Sequence, residues 1–300
     1  DWPPLFNFFK SHTILPDSTV NTIDFKTSSP GISSSYRWAT IQQQIAPLQF
    51  SRIQLSRNIA AKTITGSTEN IQTLKLAVGQ FGKGSSITIT LDSLAPLRYS
   101  TNSAEDSIWL QKQNGQWQMA AAPGTEQKGP QRYGTFKEAF NHNMVFVYGT
   151  KGNKAENEWA FNKARYDAET WYYRGNGAVD IIADKEYYTS EYAGRNVIIY
   201  GNASTNSAWS LLLNDSPVQV SRNHVSAGAN AWSGDDLAVY FTRPIKNSPM
   251  NAVGVVAGTG LKAMNAANAN QYFAGGSGSP DYMIFRLDML RDGSQALELA

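Results

Sequence analysis

Small and polar residues recur where predicted strands end in the second half of the chain, and these are the residues whose types and spacing could bind a ligand. They are Gly149, Thr150, Asp184, Gly201, Asn202, Thr205, Asn206 and Gly258. Ligands of open α/β folds bind at the carboxyl ends of parallel strands, so we expect these residues to line one crevice. Helix N-termini in such a crevice favour an anion or a cluster of sugar hydroxyls. Helix caps and tight turns require the same residue types, so a purely structural role stays open.

Residues for catalysis are harder to find. A nucleophile elbow needs Gly-x-Ser-x-Gly between a strand and a helix. The nearest approach, Gly276 to Ser279, precedes a predicted strand instead. The three histidines, His12, His142 and His224, are isolated and lack metal-ligand spacing. Cysteine is absent, which excludes thiolate nucleophiles and cysteine-ligated metals. We therefore predict no catalytic residue, no metal ligand and no cofactor.

Two carboxylate pairs and one glycine motif have simpler explanations. Asp235 and Asp236 lie in a turn before a strand. Asp180 and Asp184 stand at opposite ends of one predicted strand, about 13 Å apart by the strand rise, which is too far for an acid/base dyad. The stretch Gly258 to Ala263 fits G-x-G-x-x-A, but it belongs to the last βα unit and not the first, so it is a weak nucleotide fingerprint.

The elements that would position the crevice alternate between strands and helices. The segment Gly194 to Val220 contains an apolar β-branched run, a polar turn and then apolar residues at helical spacing, which predicts a βα unit. Ala155 to Arg174 has the pattern of a long amphipathic helix. This alternation predicts an α/β domain over residues 140–300, with a parallel sheet in three layers like a flavodoxin or Rossmann fold.

The first half has a different period. Apolar residues alternate with Thr, Ser, Gln and Lys in short runs, and Asn114-Gly115 marks a hairpin. We predict an antiparallel β-sandwich over residues 18–125, followed by a linker over 126–139. Exposed Trp and Tyr side chains of such strands could stack on sugar rings, but alternating aromatics more often belong to a core.

The chain begins with an apolar, aromatic segment. Asp1 precedes two prolines, and Leu5, Phe8 and Phe9 recur at helical spacing, so residues 1–17 are predicted to form a short docking helix and its exit. A helix this aromatic must pack against something, and we expect it to be the end of a preceding domain.

Composition narrows the function classes. The net charge of +2 is dispersed, and no basic block indicates nucleic-acid binding. No apolar run is long enough to span a membrane. Abundant Ser, Thr, Asn, Gln, Trp and Tyr, with 17% charged residues, favour an exported bacterial protein in the periplasm or outside the cell. Because residue 1 is not Met, we expect a processed or excised piece of a longer chain.

Several short motifs resemble a known family. They are the Asp1 to Phe9 helix, Gly149-Thr150-Lys151-Gly152, the strand ending at Asp184, Tyr200-Gly201-Asn202 and Pro280-Asp281-Tyr282. In this order they resemble the region after the catalytic domain in large bacterial α/β-hydrolase proteins of the esterase or prolyl-oligopeptidase-like type. The resemblance implies that the catalytic serine, acid and histidine all lie upstream of Asp1.

We therefore expect a non-catalytic accessory region of a secreted serine hydrolase that supports or gates an upstream hydrolase domain and helps to hold a carbohydrate or ester substrate. The alternative is a stand-alone carbohydrate- or anion-binding module that uses the crevice. An enzyme with a chemistry that the sequence does not reveal is a third possibility.

Overall fold

The computed structural model describes residues 2–103, 106–269, 272–274 and 279–299. The chain divides into two compact units, residues 1–133 and 134–300, and the division falls inside the predicted linker. The first unit is built from two sheets, which are antiparallel as predicted except for one parallel pair, and the second combines helices with a mixed sheet. The mixed fold class predicted from the sequence is thereby confirmed.

The first unit begins with α1 (Pro3–Lys10) and continues into a series of strands. They are β1 (Thr22–Thr27), β2 (Ser35–Tyr36), β3 (Ala39–Gln44), β4 (Ser51–Asn58), β5 (Thr63–Glu69), β6 (Ile71–Ala77), β7 (Ser86–Leu91), β8 (Leu97–Ser100), β9 (Ser107–Gln113) and β10 (Gln116–Ala120). One sheet has the order β1-β4-β5-β7-β8 and the other β10-β9-β6-β3-β2. Pairing is antiparallel except between β5 and β7.

The two sheets enclose one apolar core. Strand β4 shows why, because its residues alternate between buried and outward positions along its length. Ile53 and Leu55 of this strand are buried among side chains of both sheets, together with Trp38 and Trp117. The hairpin predicted at Asn114-Gly115 joins β9 to β10, and both residues have a positive φ, as a tight two-residue turn requires.

The second unit contains four α-helices in its described part. They are α2 (Lys154–Gly175), α3 (Trp209–Leu212), α4 (Leu261–Ala266) and α5 (Met289–Asp292). Its strands are β11 (Met144–Tyr148), β12 (Asp180–Ala183), β13 (Asn196–Tyr200), β14 (Val218–Ser221), β15 (His224–Ala227), β16 (Asn230–Ser233), β17 (Leu237–Pro244), β18 (Ala252–Gly258), β19 (Tyr282–Arg286) and β20 (Leu297–Leu299).

The main sheet of this unit has the order β12-β11-β13-β18-β17-β19-β20. The first four of these strands are parallel, whereas β17 is antiparallel to both of its neighbours. The sheet is therefore mixed, and the expected wholly parallel arrangement holds only for one part of it. The reason lies in the connection, because the short segment between Pro244 and Ala252 has no room for a crossover helix.

Both faces of the main sheet are covered. Helices α2 and α4 and a 3₁₀ turn at Phe136–Phe140 pack on one face, and α3 and the antiparallel sheet β14-β15-β16 pack on the other. A strand buried on both faces needs apolar side chains in both directions, and Val197 to Tyr200 are fully buried accordingly.

The predicted long helix is present as α2. It starts in a capping box between Asn153 and Glu156, and it ends at Asn176, which has a left-handed backbone. The helix predicted after Gly201 is much shorter, since α3 has only four residues. The polar turn from Asn202 to Ser207 takes up the chain that would otherwise extend it.

Candidate functional site

The predicted crevice residues meet at the carboxyl ends of β11, β12, β13 and β18. Asp184 is buried and holds two of these loops together. Its Oδ1 accepts hydrogen bonds from the backbone N–H of Thr150 (3.1 Å) and from Thr150 Oγ1 (2.5 Å), and its Oδ2 accepts one from the N–H of Ser207 (2.5 Å). Both carboxylate oxygens of Asp184 therefore already bind protein donors.

Asn202 has no exposed surface. Its Nδ2 donates to the carbonyl of Gly258 (2.8 Å), and its Oδ1 accepts from the N–H of Ser204 (2.9 Å). The N–H of Asn202 donates to Thr205 Oγ1 (2.9 Å). This side chain thus connects the turn after β13 to the end of β18.

Asn206 makes the corresponding connection to β11. Its Nδ2 donates to the carbonyls of Val147 (3.0 Å) and Tyr200 (3.1 Å), and its Oδ1 accepts from the N–H of Ala208 (3.0 Å). Every polar atom of the Asn206 amide is paired within the protein. The side chain closes the turn between β13 and α3 in the way that a cap closes a helix end.

The glycines at this edge permit close approach of the chain to itself. A Cβ on Gly149 would lie 2.3 Å from the carbonyl oxygen of Thr205, and one on Gly258 would lie 2.6 Å from the backbone nitrogen of Met264. Gly201 has φ +120°, which other residues rarely adopt. The eight predicted residues are thus brought together, and their glycines and amides serve contacts within the fold. Ligand binding by them stays a prediction.

An ion pair that no sequence pattern predicts lies beside this edge. Arg222, in the turn between β14 and β15, reaches Glu156 in the first turn of α2, with Nε to Oε1 at 3.0 Å and Nη2 to Oε2 at 2.6 Å. Hydrogen bonding from Arg222 lowers the pKa of Glu156 despite burial, and the same pairing raises the pKa of Arg222. The N–H of Asn223 also donates to the carbonyl of Thr259 (2.9 Å).

The turn from Ser221 to His224 therefore lies against the edge where the crevice was expected. No local pattern marks this pairing, because 66 residues separate Arg222 from Glu156.

The other candidates for chemistry are dispersed. His12, His142 and His224 are all exposed, and His12 stacks on the ring of Phe8 at 4.0 Å between centroids. The paired carboxylates make separate ion pairs: Asp235 with Lys262, Asp236 with Arg286, and Asp180 with Arg195. Within the described ranges, no group of three or more His, Asp or Glu side chains could hold a metal ion. In the Gly276 to Ser279 motif, only Ser279 falls within the described residues.

Helix α1 differs from the buried polar residues at the edge of the main sheet, since none of its own residues is buried. Its large apolar side chains, and those that flank it, are open to solvent. They are Trp2 (68% exposed), Leu5 (43%), Phe6 (57%), Phe8 (54%), Phe9 (60%), Ile14 (84%) and Leu15 (61%). Exposed apolar residues in such density are typical of an interaction surface.

The segment that leads from α1 into β1 is fixed to the sandwich. Arg37 Nη1 donates to the carbonyl of Leu15 (2.6 Å) and to Asp17 Oδ1 (3.1 Å). Arg57 Nη2 donates to the carbonyl of Asp17 (2.5 Å), and the indole N–H of Trp38 donates to the carbonyl of Val20 (3.0 Å). We call residues 15–21 the stem. The stem is thus anchored to the sandwich, whereas no residue of α1 is buried.

No protein-family model matches this chain, and no curated protein matches it at a significant level. Among the helices of the described residues, none combines the length and the apolar character needed to cross a membrane.

Proposed function

We propose that this chain is a non-catalytic accessory region of a secreted serine hydrolase, an esterase or a peptidase, and that it supports or gates a catalytic domain that packs against α1. The observation that carries the proposal is the helix itself. A short aromatic helix with no buried residue, joined to a segment that is anchored to the sandwich, is suited to packing against another body.

Energetics support this use of α1. An isolated helix of this length is marginal in water, so it gains stability only by packing. Each large apolar side chain that becomes buried contributes about 1.5–3 kcal/mol. Lys10 is the one charged residue of α1, and it lies in the last turn. The partner surface should therefore be an apolar groove with an acidic residue near the C-terminal end of the helix.

We further propose that the second unit derives from a three-layer flavodoxin-like fold. Support comes from the strand order β12-β11-β13-β18, which is 2-1-3-4 when those parallel strands are numbered along the chain. The loops after β11 and β13 would then mark the position of an ancestral ligand site. The hydrogen bonds of Asp184, Asn202 and Asn206 favour a supporting role for that site in this chain.

The reading frame that encodes Asp1 provides the first test. It should carry a Gly-x-Ser-x-Gly turn upstream, and the chain expressed alone should not hydrolyse p-nitrophenyl acetate. The upstream hydrolase domain, produced separately, should bind this chain in calorimetry. Hydrolysis by the isolated chain that a single Ser→Ala change abolishes would refute the proposal, and so would a reading frame without a hydrolase domain.

A further inference from the structure

The outer face of the sheet β10-β9-β6-β3-β2 carries a tryptophan outside the core. Ile108 and Leu110 of β9 point inward and are buried, so Trp109 between them points outward and is only partly buried. Trp38 and Trp117 belong to the core of the same unit, but Trp109 does not. Packing of the core therefore does not explain why a tryptophan occupies position 109.

Trp109 stands in a row of residues that leaves part of its ring open. Its partner on β10 is Ala120, whose side chain is a single methyl group, and its partner on β6 is Lys75. Lys75 Nζ lies 5.2 Å from the centroid of the Trp109 ring. The indole N–H of Trp109 and the ammonium of Lys75 have no hydrogen-bond or ion-pair partner among the described residues.

Amides occupy the rows beside Trp109. Gln118 pairs in register with Gln111, and Gln116 pairs with Gln113, so all four side chains project from the same face as Trp109. Gln113 Nε2 donates to Gln111 Oε1 (2.7 Å), which orients these two amides. Gln116 and Gln118 are exposed. From the Trp109 row to the Gln113 row, the face extends about 14 Å at the strand rise.

We propose that this face binds a glycan that contains uronic acid units. The apolar C–H face of a pyranose ring stacks on the indole of Trp109. Glutamine amides both donate and accept, and they match the hydroxyls of the next sugar rings along the strand direction. Among the described residues, Lys75 is the only charged one in these rows and has no carboxylate as an ion-pair partner, so charge complementarity selects a sugar carboxylate.

A protein partner fits this face less well. Protein interfaces are centred on clusters of apolar and aromatic side chains, as α1 provides. Here a single aromatic ring is surrounded by amides, which suits a ligand that is rich in hydroxyls better than an apolar protein surface. This proposal does not depend on a hydrolase partner, because it concerns another surface and another class of ligand.

Calorimetry of the whole chain with galacturonic acid hexamers, and with alginate hexamers as a second source of uronate, tests the proposal. We expect binding by at least one of them, weakened about tenfold or more by Trp109→Ala, which removes the stacking ring. Lys75→Gln should weaken it about threefold or more and should remove much of its salt dependence. Tyr173→Ala, which changes an aromatic residue on α2 that is 87% exposed, is the matched control and should bind like the parent chain.

A second measurement covers the case in which Trp109→Ala fails to fold. In the parent chain, the indole N–H resonance of Trp109 should shift on addition of the uronate hexamer, while those of the core residues Trp38 and Trp117 should stay in place. The proposal is wrong if neither uronate hexamer binds, if cellohexaose or mannohexaose binds more tightly, or if the Trp109 resonance does not respond. Removal of the apolar side chains of α1 should leave glycan binding intact, which separates this result from the fate of the hydrolase proposal.

Discussion

Helix α1 and the carboxyl edge of the main sheet were both candidate sites in the sequence, and they differ in what the fold does with them. At the edge, the polar atoms of Asp184, Asn202 and Asn206 are bonded to the chain itself. In α1, the apolar side chains remain in water. Burial of an unpaired polar group is costly, so a fold must supply partners for polar turns. An exposed aromatic helix has no such internal requirement.

Polar clusters at strand ends and exposed apolar helices therefore differ in what they indicate about partners. A cluster of Asn, Thr, Asp and Gly after strands is needed to close a βα unit, whether or not a ligand binds there. A helix with Phe6, Phe8 and Phe9 open to solvent is not needed by the sandwich that carries it. The surplus apolar surface therefore carries more information about partners than the satisfied polar cluster does.

The largest effect should come from the edge, where Asn206→Ala removes an amide that serves three backbone groups. The carbonyls of Val147 and Tyr200 would lose a buried donor, so we expect a loss of about 3 kcal/mol of unfolding free energy. Urea denaturation measures this loss. Asn230→Ala, at an exposed position, is the control and should change little. A neutral result for Asn206→Ala would mean that the edge is not held by its own polar groups.

The next effect concerns α1. Replacement of Phe6 and Phe9 by Ser should leave the unfolding free energy of the chain within about 0.5 kcal/mol, because exposed side chains contribute little. If the proposed upstream hydrolase domain packs on α1, the same change should weaken its binding at least tenfold, as loss of buried aromatic anchors does. Calorimetry gives both values. A clear loss of stability without loss of binding would show that α1 packs within its own unit and does not serve as an interaction surface.

A smaller effect should follow from the pair between Arg222 and Glu156. The folded-state pKa of Glu156 is lowered, so its contribution to stability is full above the ordinary glutamate value of about 4.3 and is lost as the pH falls below it. Arg222→Ala should therefore flatten the decrease in stability between about pH 5 and pH 3. Denaturation curves of the parent chain and of the Arg222→Ala variant across this pH range measure the two unfolding free energies. Parallel pH profiles would contradict the assigned pairing.

The smallest effect should come from the stem. Arg37→Gln removes the donors to Leu15 and Asp17 but leaves those of Arg57 and Trp38 in place. We expect the affinity for the proposed hydrolase domain to fall by about threefold, because the segment that leads to α1 is then anchored less firmly before binding. Lys83→Gln, a change of the same charge at an exposed loop position, is the control. Equal affinities of the two variants would show that the stem does not position α1.

Much of the local structure could be predicted from the sequence. The alternation of β4, the Asn114-Gly115 turn and the capped helix α2 depend on contacts between near neighbours in the chain, and all three are present as expected. The positions of the crevice residues also followed from strand ends. Their hydrogen-bond partners did not, because Asn202 and Gly258, for example, are 56 residues apart.

The sequence by itself determined where many of the strands and the long helix α2 lie and that α1 is apolar, since periodicity is a local property. Only the tertiary structure decided that β17 runs antiparallel to its neighbours β18 and β19, that Arg222 forms an ion pair with Glu156, and that Trp109 points outward. In the run Ile108-Trp109-Leu110 all three side chains are apolar, so the pattern alone does not tell which of them faces the core. That choice depends on the strands β6 and β10 that pair with β9, and they come from separate parts of the chain.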